Sequence, residues 1–230
     1  MAKKAEQTAD GTTITFEADG KQKQLKADYC IVCVGRRANT AEMGLEHLGG
    51  IKIDKRGLID VDAQGRTAVS NIFAIGDVVA GPALAHKASY EGKIAAEAIS
   101  GSKAVIDYRA MPAVCYTDSE IATTGLTVSE AKEQGLTVKK AQFPFAANGR
   151  AISLSSTNGF VRLVFEKESH ILVGAQIVGP NASDLITELT LAIETGSTIE
   201  DISLTIHPHP SVSEAVMDAA DLALGLPVNI

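Results

Sequence analysis

The strongest constraint on the fold lies late in the chain. Two apolar runs, Phe160 to Glu166 and Ile171 to Val178, are separated by a short polar turn and read as an antiparallel pair. A helix follows at once: Leu185, Ile186, Leu189, Ala192 and Ile193 form one stripe at helical spacing that stops at Gly196, and Asn181-Ala182-Ser183-Asp184 offers an N-cap. A hairpin and an amphipathic helix each have one apolar side to bury, so the segment calls for an α+β unit with helices packed on an antiparallel sheet.

Upstream, Thr13 to Ala18 and Gln22 to Ala27 flank Asp19-Gly20, a hairpin signal, and Tyr29 to Val34 reads as a further, buried strand of the same β-meander. Asn39 to Gly50 carries a short helical pattern. Ile51 to Asp62 holds two strand candidates around Lys55-Arg56-Gly57. Ile72 to Ile75 is a compact apolar run that ends at Gly76-Asp77, as a buried strand does where its C-terminal end meets a site. Leu84 to Ser100 favours an alanine-rich helix with Gly101 as its stop. Asp107 to Met111 is a linker, and the rest reads strand, strand, helix (Val128 to Gln134), strand, hairpin, strand, helices. The whole is two partial segments followed by one complete unit of about 120 residues.

Composition excludes several classes. With 21 basic and 28 acidic side chains the 230-residue chain carries a formal charge of −7, which argues against a nucleic-acid surface. No apolar run approaches the roughly 20 residues that span a bilayer, and Met1 to Lys4 leads into polar residues rather than a signal peptide, so a soluble, cytoplasmic protein is expected. Three cysteines are too few for a disulfide framework. Cys30 and Cys33 have CxxC spacing, but in a strand they face opposite sides, and Cys115 reads as a core-facing strand residue.

The densest chemistry is His207-Pro208-His209-Pro210-Ser211-Val212-Ser213-Glu214, just before an apolar-periodic helix. Proline after each histidine favours an extended, stiff strand, which suits a group that must hold a proton in place. Glu214 has two readings: a carboxylate that orients an imidazole, or the acidic end of an S-x-x-E capping box. A metal at His207 and His209 lacks a third ligand nearby. Asp77 reads as a turn or cap aspartate, or as an acceptor for ligand hydroxyls beyond Gly76. Leu84-Ala85-His86 opens a helix whose first amides are free. Phe143 to Arg150 is an aromatic strand running into an Asn-Gly turn.

In this order the pieces resemble the C-terminal half of the flavin disulfide reductases. Val34-Gly35-Arg36-Arg37-Ala38-Asn39-Thr40 is similar to the end of that family's NAD domain, with Ala38 for the usual proline. Thr67 to Asp77 resembles its second FAD motif, continued by Leu84 to Ala88. Phe143 to Ala151 and His207 to Glu214 resemble its interface domain, with Ser211 where threonine is more usual. The resemblance implies three regions: 1–38 as the end of the NAD-binding domain, 39–107 as a central FAD-contacting segment, and 108–230 as an interface domain. It implies FAD held by Gly76, Asp77 and the Leu84, Ala85 and His86 amides, NAD beside Gly35, and no metal.

It further implies that His209 is the base that deprotonates a dihydrolipoyl thiol, that Glu214 orients it, and that His207 has a structural or tuning role. The implied partners are a second copy of the chain and the lipoyl domain of a 2-oxo acid dehydrogenase complex, such as the pyruvate dehydrogenase complex. The His-Pro-His-Pro form favours the dihydrolipoyl-oxidising branch over glutathione reductases. The tail Leu226 to Ile230 lacks the vicinal cysteines of mercuric reductases. Neither a G-x-G-x-x-G loop nor a Cys-x4-Cys pair is present, so the chain alone is expected to be inactive and to hold FAD weakly. The alternative is a non-enzymatic dimerisation module.

Overall fold

In a computed structural model, residues 1–229 are described. At the expected hairpin, Asp19 and Gly20 both take positive φ (54° and 68°), the requirement of a type I′ turn, and join β2 (Gly11–Ala18) to β3 (Lys21–Ala27) with Ala18 opposite Lys21. A strand with no sequence signal, β1 (Ala2–Thr8), pairs with the other edge of β2, making a sheet in the order β1-β2-β3. All seven residues of β1 are exposed, so no apolar alternation marks it. The buried residues of β2 are Thr12 and Thr15, and the sheet contributes little apolar core.

The expected third strand, Tyr29 to Val34, does not form. Its backbone is irregular, and Tyr29, Ile31, Val32 and Val34 are 76–92% exposed. A run apolar on both sides needs neighbours on both sides, as an inner parallel strand has; among the described residues no strand lies beside it. Cys30 and Cys33 are therefore exposed rather than buried on opposite faces of a strand.

Residues 39–107 are loop-rich. The helical pattern at 39–50 condenses to a 3-10 turn at Leu45–His47. The strand pair at 51–62 is a single bridge between Ile53 and Ile59, closed by the Asp54 carboxylate, which accepts the Arg56 and Leu58 amides at 2.8 Å. The run Ile72 to Ile75 supplies one bridge, Phe73 to Arg66, rather than a strand. A small core of Ile59, Ala74 and Val79 unites these turns. The expected helix is α1 (Ala85–Ile99).

The C-terminal region holds β4 (Ala113–Cys115), β5 (Glu120–Gly125), β6 (Val138–Pro144), β7 (Phe160–Glu166) and β8 (Leu172–Gly179). They form an antiparallel sheet in the order β4-β5-β8-β7-β6. The helices are α2 (Val128–Glu133), α3 (Gly149–Ser153), α4 (Ala182–Thr195), α5 (Ile199–Leu204) and α6 (Glu214–Leu224). The α+β class is as expected. Helix α4 packs on β5 and β8, and α6 on β6 and β7, closing one core that contains Phe143, Phe145, Leu163, Ile177, Ile186, Leu189 and Val216. Each such side chain contributes about 1.5–3 kcal/mol on burial. Phe145 lies so close to the backbone of Gly179 that a Cβ there would run into its ring.

Three local expectations change. Asn181 opens α4 in the left-handed region (φ 56°) without capping it, and the Glu120 carboxylate instead accepts the Ser183 amide at 2.9 Å. Asn148-Gly149 is not a hairpin turn: a 3-10 turn, Phe145–Ala147, leads into α3, whose Ala151 amide is accepted by Asn148 Oδ1 at 2.9 Å. Cys115 is in a strand but exposed. Among the described residues, no helix is long and apolar enough to cross a membrane, and no group of three or more metal-binding side chains is assembled.

Candidate active site

Helix α5 ends at Leu204 and α6 begins at Glu214, and the histidine block is the irregular connection between them rather than the stiff strand expected from its prolines. Its order comes from side-chain tethers. One oxygen of Glu214 lies 2.8 Å from His209 Nδ1, and the other accepts the Ser211 amide at 2.8 Å. The two readings of Glu214 are thus both realised by one carboxylate. Ser211 Oγ bonds Ser213 Oγ at 2.8 Å, so the serine half of the expected box is absent.

Burial opposes the charge on Glu214, but the Ser211 amide and then the His209 ring hold its carboxyl below the usual range. It stays an anion, and a carboxylate only accepts, so the proton of a neutral His209 sits on Nδ1. Nε2 is left as a lone-pair acceptor on a side chain 79% exposed. That is the arrangement of a general base oriented from behind.

Asn148, 2% exposed, donates from Nδ2 to the Ser211 carbonyl at 3.1 Å and so pins the same segment from α3. His207 is turned inward, its side chain 4% exposed, with Nδ1 2.8 Å from the Thr205 carbonyl and Nε2 3.0 Å from Glu188 of α4. The hydrogen bond to Glu188 raises the His207 pKa above the usual histidine value against the opposing effect of burial. Beside it runs a groove of about 460 Å³ lined by Leu191, Ile202, Ile206 and Pro208 among others. Glu188 escaped sequence reasoning because 19 residues separate it from His207. Asn148 escaped because Asn-Gly looks like a hairpin turn.

The second cluster surrounds Gly76. It is buried with φ 74°, and opens a 3-10 turn, Gly76–Val78, that carries Asp77. Its amide donates to Glu91 at 2.7 Å, its carbonyl accepts from Lys87 Nζ at 3.1 Å, and Lys87 and Glu91 pair at 2.8 Å. Those two side chains are 1% and 4% exposed. A Cβ on Gly76 would lie 3.0 Å from Ala88 Cβ, so α1 packs directly on this turn. Asp77 itself caps nothing: it pairs with Arg36 at 2.9 Å and is 36% exposed. Leu84 precedes α1 without a side-chain cap, leaving the first amides, including those of Ala85 and His86, without a side-chain acceptor, while the His86 ring bonds the Pro112 carbonyl at 2.7 Å.

A half-buried carboxylate at a fixed turn and an uncapped helix start suit a polyhydroxylated chain and a hydrogen-bonding ring edge, so these residues fit FAD. Gly35, the residue expected beside NAD, has different surroundings. It lies in exposed, irregular chain with φ 132°, and nothing approaches within 4 Å of where its Cβ would be. Among the described residues, no hydrogen bond or ion pair joins Asp77 or the start of α1 to His209.

A meander, a turn-rich stretch closed by a helix, and a five-stranded antiparallel sheet bearing a solvent-facing imidazole–carboxylate pair define one class, and the chain belongs to the pyridine nucleotide-disulphide oxidoreductases. Residues 1–92 match the model of that family and residues 111–220 match its dimerisation domain. Within the family, the chain is 59% identical over 230 residues to dihydrolipoyl dehydrogenase of Geobacillus stearothermophilus and 57% identical over 229 residues to that of Staphylococcus aureus. All of this chain is covered in both alignments, but only 49% of each relative, so it spans about half their length. The solved structure of LpdA from Mycobacterium tuberculosis is similar with a TM-score of 0.85 at 27% identity, covering 96% of this chain and 48% of that one.

Proposed function

We propose that the chain is the proton-transfer and subunit-contact portion of an FAD- and NAD-dependent dihydrolipoyl dehydrogenase, an oxidoreductase that reoxidises the dihydrolipoyl groups of 2-oxo acid dehydrogenase complexes. The observation that carries this is the His209–Glu214 pair, with Nδ1 held at 2.8 Å by an anion and Nε2 open to solvent.

In this reading His209 Nε2 takes the proton of a dihydrolipoyl thiol, and the thiolate is the nucleophile towards a redox disulfide elsewhere in the parent enzyme. Glu214 stabilises the imidazolium that forms, and the Ser211 amide and Asn148 hold the pair in register. FAD, when bound, supplies the electron carrier between disulfide and NAD. Asp77 would bind its polyol chain at the turn that Gly76 sets, and the Ala85 and His86 amides would donate to its ring edge, the Leu84 amide being taken by the Pro82 carbonyl at 3.0 Å. In keeping with the dimerisation-domain match, residues 108–230 form the interface, 39–107 the FAD-contacting segment and 1–38 the end of the NAD domain. Two copies form a homodimer, each lending its base to the other's site, and the lipoyl domain is the substrate-bearing partner.

The test is His209→Gln in the full-length parent. Dihydrolipoamide turnover falls by about 10²–10⁴, while NADH oxidation by artificial acceptors is retained; unchanged lipoamide turnover refutes the assignment. A second reading, a dimerisation module, is favoured for the 230-residue chain itself by the bare 29–34 segment. It requires a colourless dimer by light scattering and flavin absorbance.

A further inference from the structure

Two histidines two residues apart have opposite surroundings, and only the exposed one is needed as a base. His207 has no free ring nitrogen: Nδ1 faces the Thr205 carbonyl at 2.8 Å and Nε2 faces the Glu188 carboxylate at 3.0 Å. Both partners are acceptors, so either neutral tautomer turns a ring lone pair onto an oxygen lone pair. In a side chain 4% exposed, water has little room to relieve that clash. The remaining form has a proton on each nitrogen.

The electrostatic setting agrees. Glu188 approaches from α4 and Asp201 lines the adjoining groove from α5. Glu214 and Asp218 of α6 act on the ring through space. Among the residues lining the groove, His207 is the only basic one.

We infer that His207 is a standing imidazolium at neutral pH, and that its charge-assisted bond to Glu188 moors the 205–211 connection to α4, making it a positioning residue for His209 rather than a second base. Only its purpose rests on the proposed role of His209; the charge and the mooring are properties of this chain and are measured without turnover.

The experiment is nitrogen-15 histidine NMR of the 230-residue chain, whose five histidines are assigned by single replacements. At pH 7 the His207 ring shows two protonated nitrogens and keeps them to higher pH than in Glu188→Gln. In parallel, exchange of the Ser211 amide, which bonds Glu214, is followed from pH 6 to 9 and corrected for intrinsic rate. In the wild type its protection drops about tenfold as His207 deprotonates, the loss expected for one charge-assisted hydrogen bond. In Glu188→Gln the drop comes at lower pH; a purely packing role leaves protection flat. A His207 ring with one proton at pH 7 overturns the inference, and so does Ser211 protection that ignores the His207 titration. Neither result bears on His209→Gln in the parent enzyme, so the two proposals fail separately.

Discussion

The buried clamp on Gly76 makes a demanding stability prediction. Glu91→Gln keeps the size of the side chain and an oxygen to accept the Gly76 amide, yet removes the anion 2.8 Å from Lys87 Nζ. With Lys87 1% exposed, the ammonium is left with the Gly76 carbonyl at 3.1 Å as its remaining partner. Breaking one half of a buried pair costs about 3–5 kcal/mol, because the orphaned charge has neither water nor counterion. The double variant Lys87→Met/Glu91→Gln removes the charge and leaves only neutral groups, the Gly76 carbonyl and the amide that replaces the Glu91 carboxylate, without the Lys87 bond, at about 1–3 kcal/mol. The double variant is therefore more stable than Glu91→Gln. The local core here is only Ile59, Ala74 and Val79 with a few partners, so the loss appears as local opening. Hydrogen exchange of peptides spanning residues 72–99 reads it directly. A Glu91→Gln cost below about 1 kcal/mol, or a double variant no better than the single, refutes the orphaned-charge reasoning.

Other perturbations separate the remaining interactions. Asp218 is 4% exposed, and burial pushes its carboxyl above the usual range despite the bond from Asn229. Its folded pKa is raised, so its favourable contribution exists below the unfolded pKa and fades as pH rises through the folded one. Asp218→Asn is accordingly neutral near pH 3 and stabilising at pH 7 in urea denaturation. Asn148→Ala removes both the cap on Ala151 and the bond to the Ser211 carbonyl; a loss of about 1–3 kcal/mol is expected, with faster exchange at residues 207–212. Leu191 and Ile206 stand 63% and 95% exposed at the groove beside His207. If this face seats a second copy, Leu191→Glu/Ile206→Glu converts a dimer to a monomer by light scattering with unchanged circular dichroism.

What was legible in the sequence was what short-range chemistry decides. The Asp19-Gly20 turn, α1, the β7–β8 pair and the α4 stripe ending at Gly196 each carry their cause within a few residues. Strand β1 carries none, because an exposed edge strand is specified by its partner's open hydrogen bonds alone. The 29–34 run was misjudged for the opposite reason: its apolar pattern is a demand for neighbours, and nothing in these 229 described residues meets it. Asn148 shows a third limit. The same Asn-Gly pair serves a tight hairpin or a helix start, and here Asn148 caps α3 while its amide nitrogen bonds Ser211, 63 residues away. His209 and Glu214 could be named from spacing, whereas Glu188 and the Lys87–Glu91 clamp depend on which groups the fold leaves without water.

His209, proposed above as the base, is carried on a loop. The His-Pro-His-Pro connection has no ladder or helix of its own, so its rigidity must come from partners in other elements. Glu188 of α4 provides one hydrogen bond to His207, Asn148 at the start of α3 one to Ser211, and Glu214 of α6 one each to His209 and Ser211. A fold that only needed to terminate α5 and begin α6 has no use for three such tethers converging on one exposed imidazole. The buried histidine has both ring nitrogens engaged by acceptors, while the exposed one keeps a single free nitrogen. The same residue type is thus divided by its environment into an anchor and an acceptor, and only the acceptor is placed where a partner molecule can reach it.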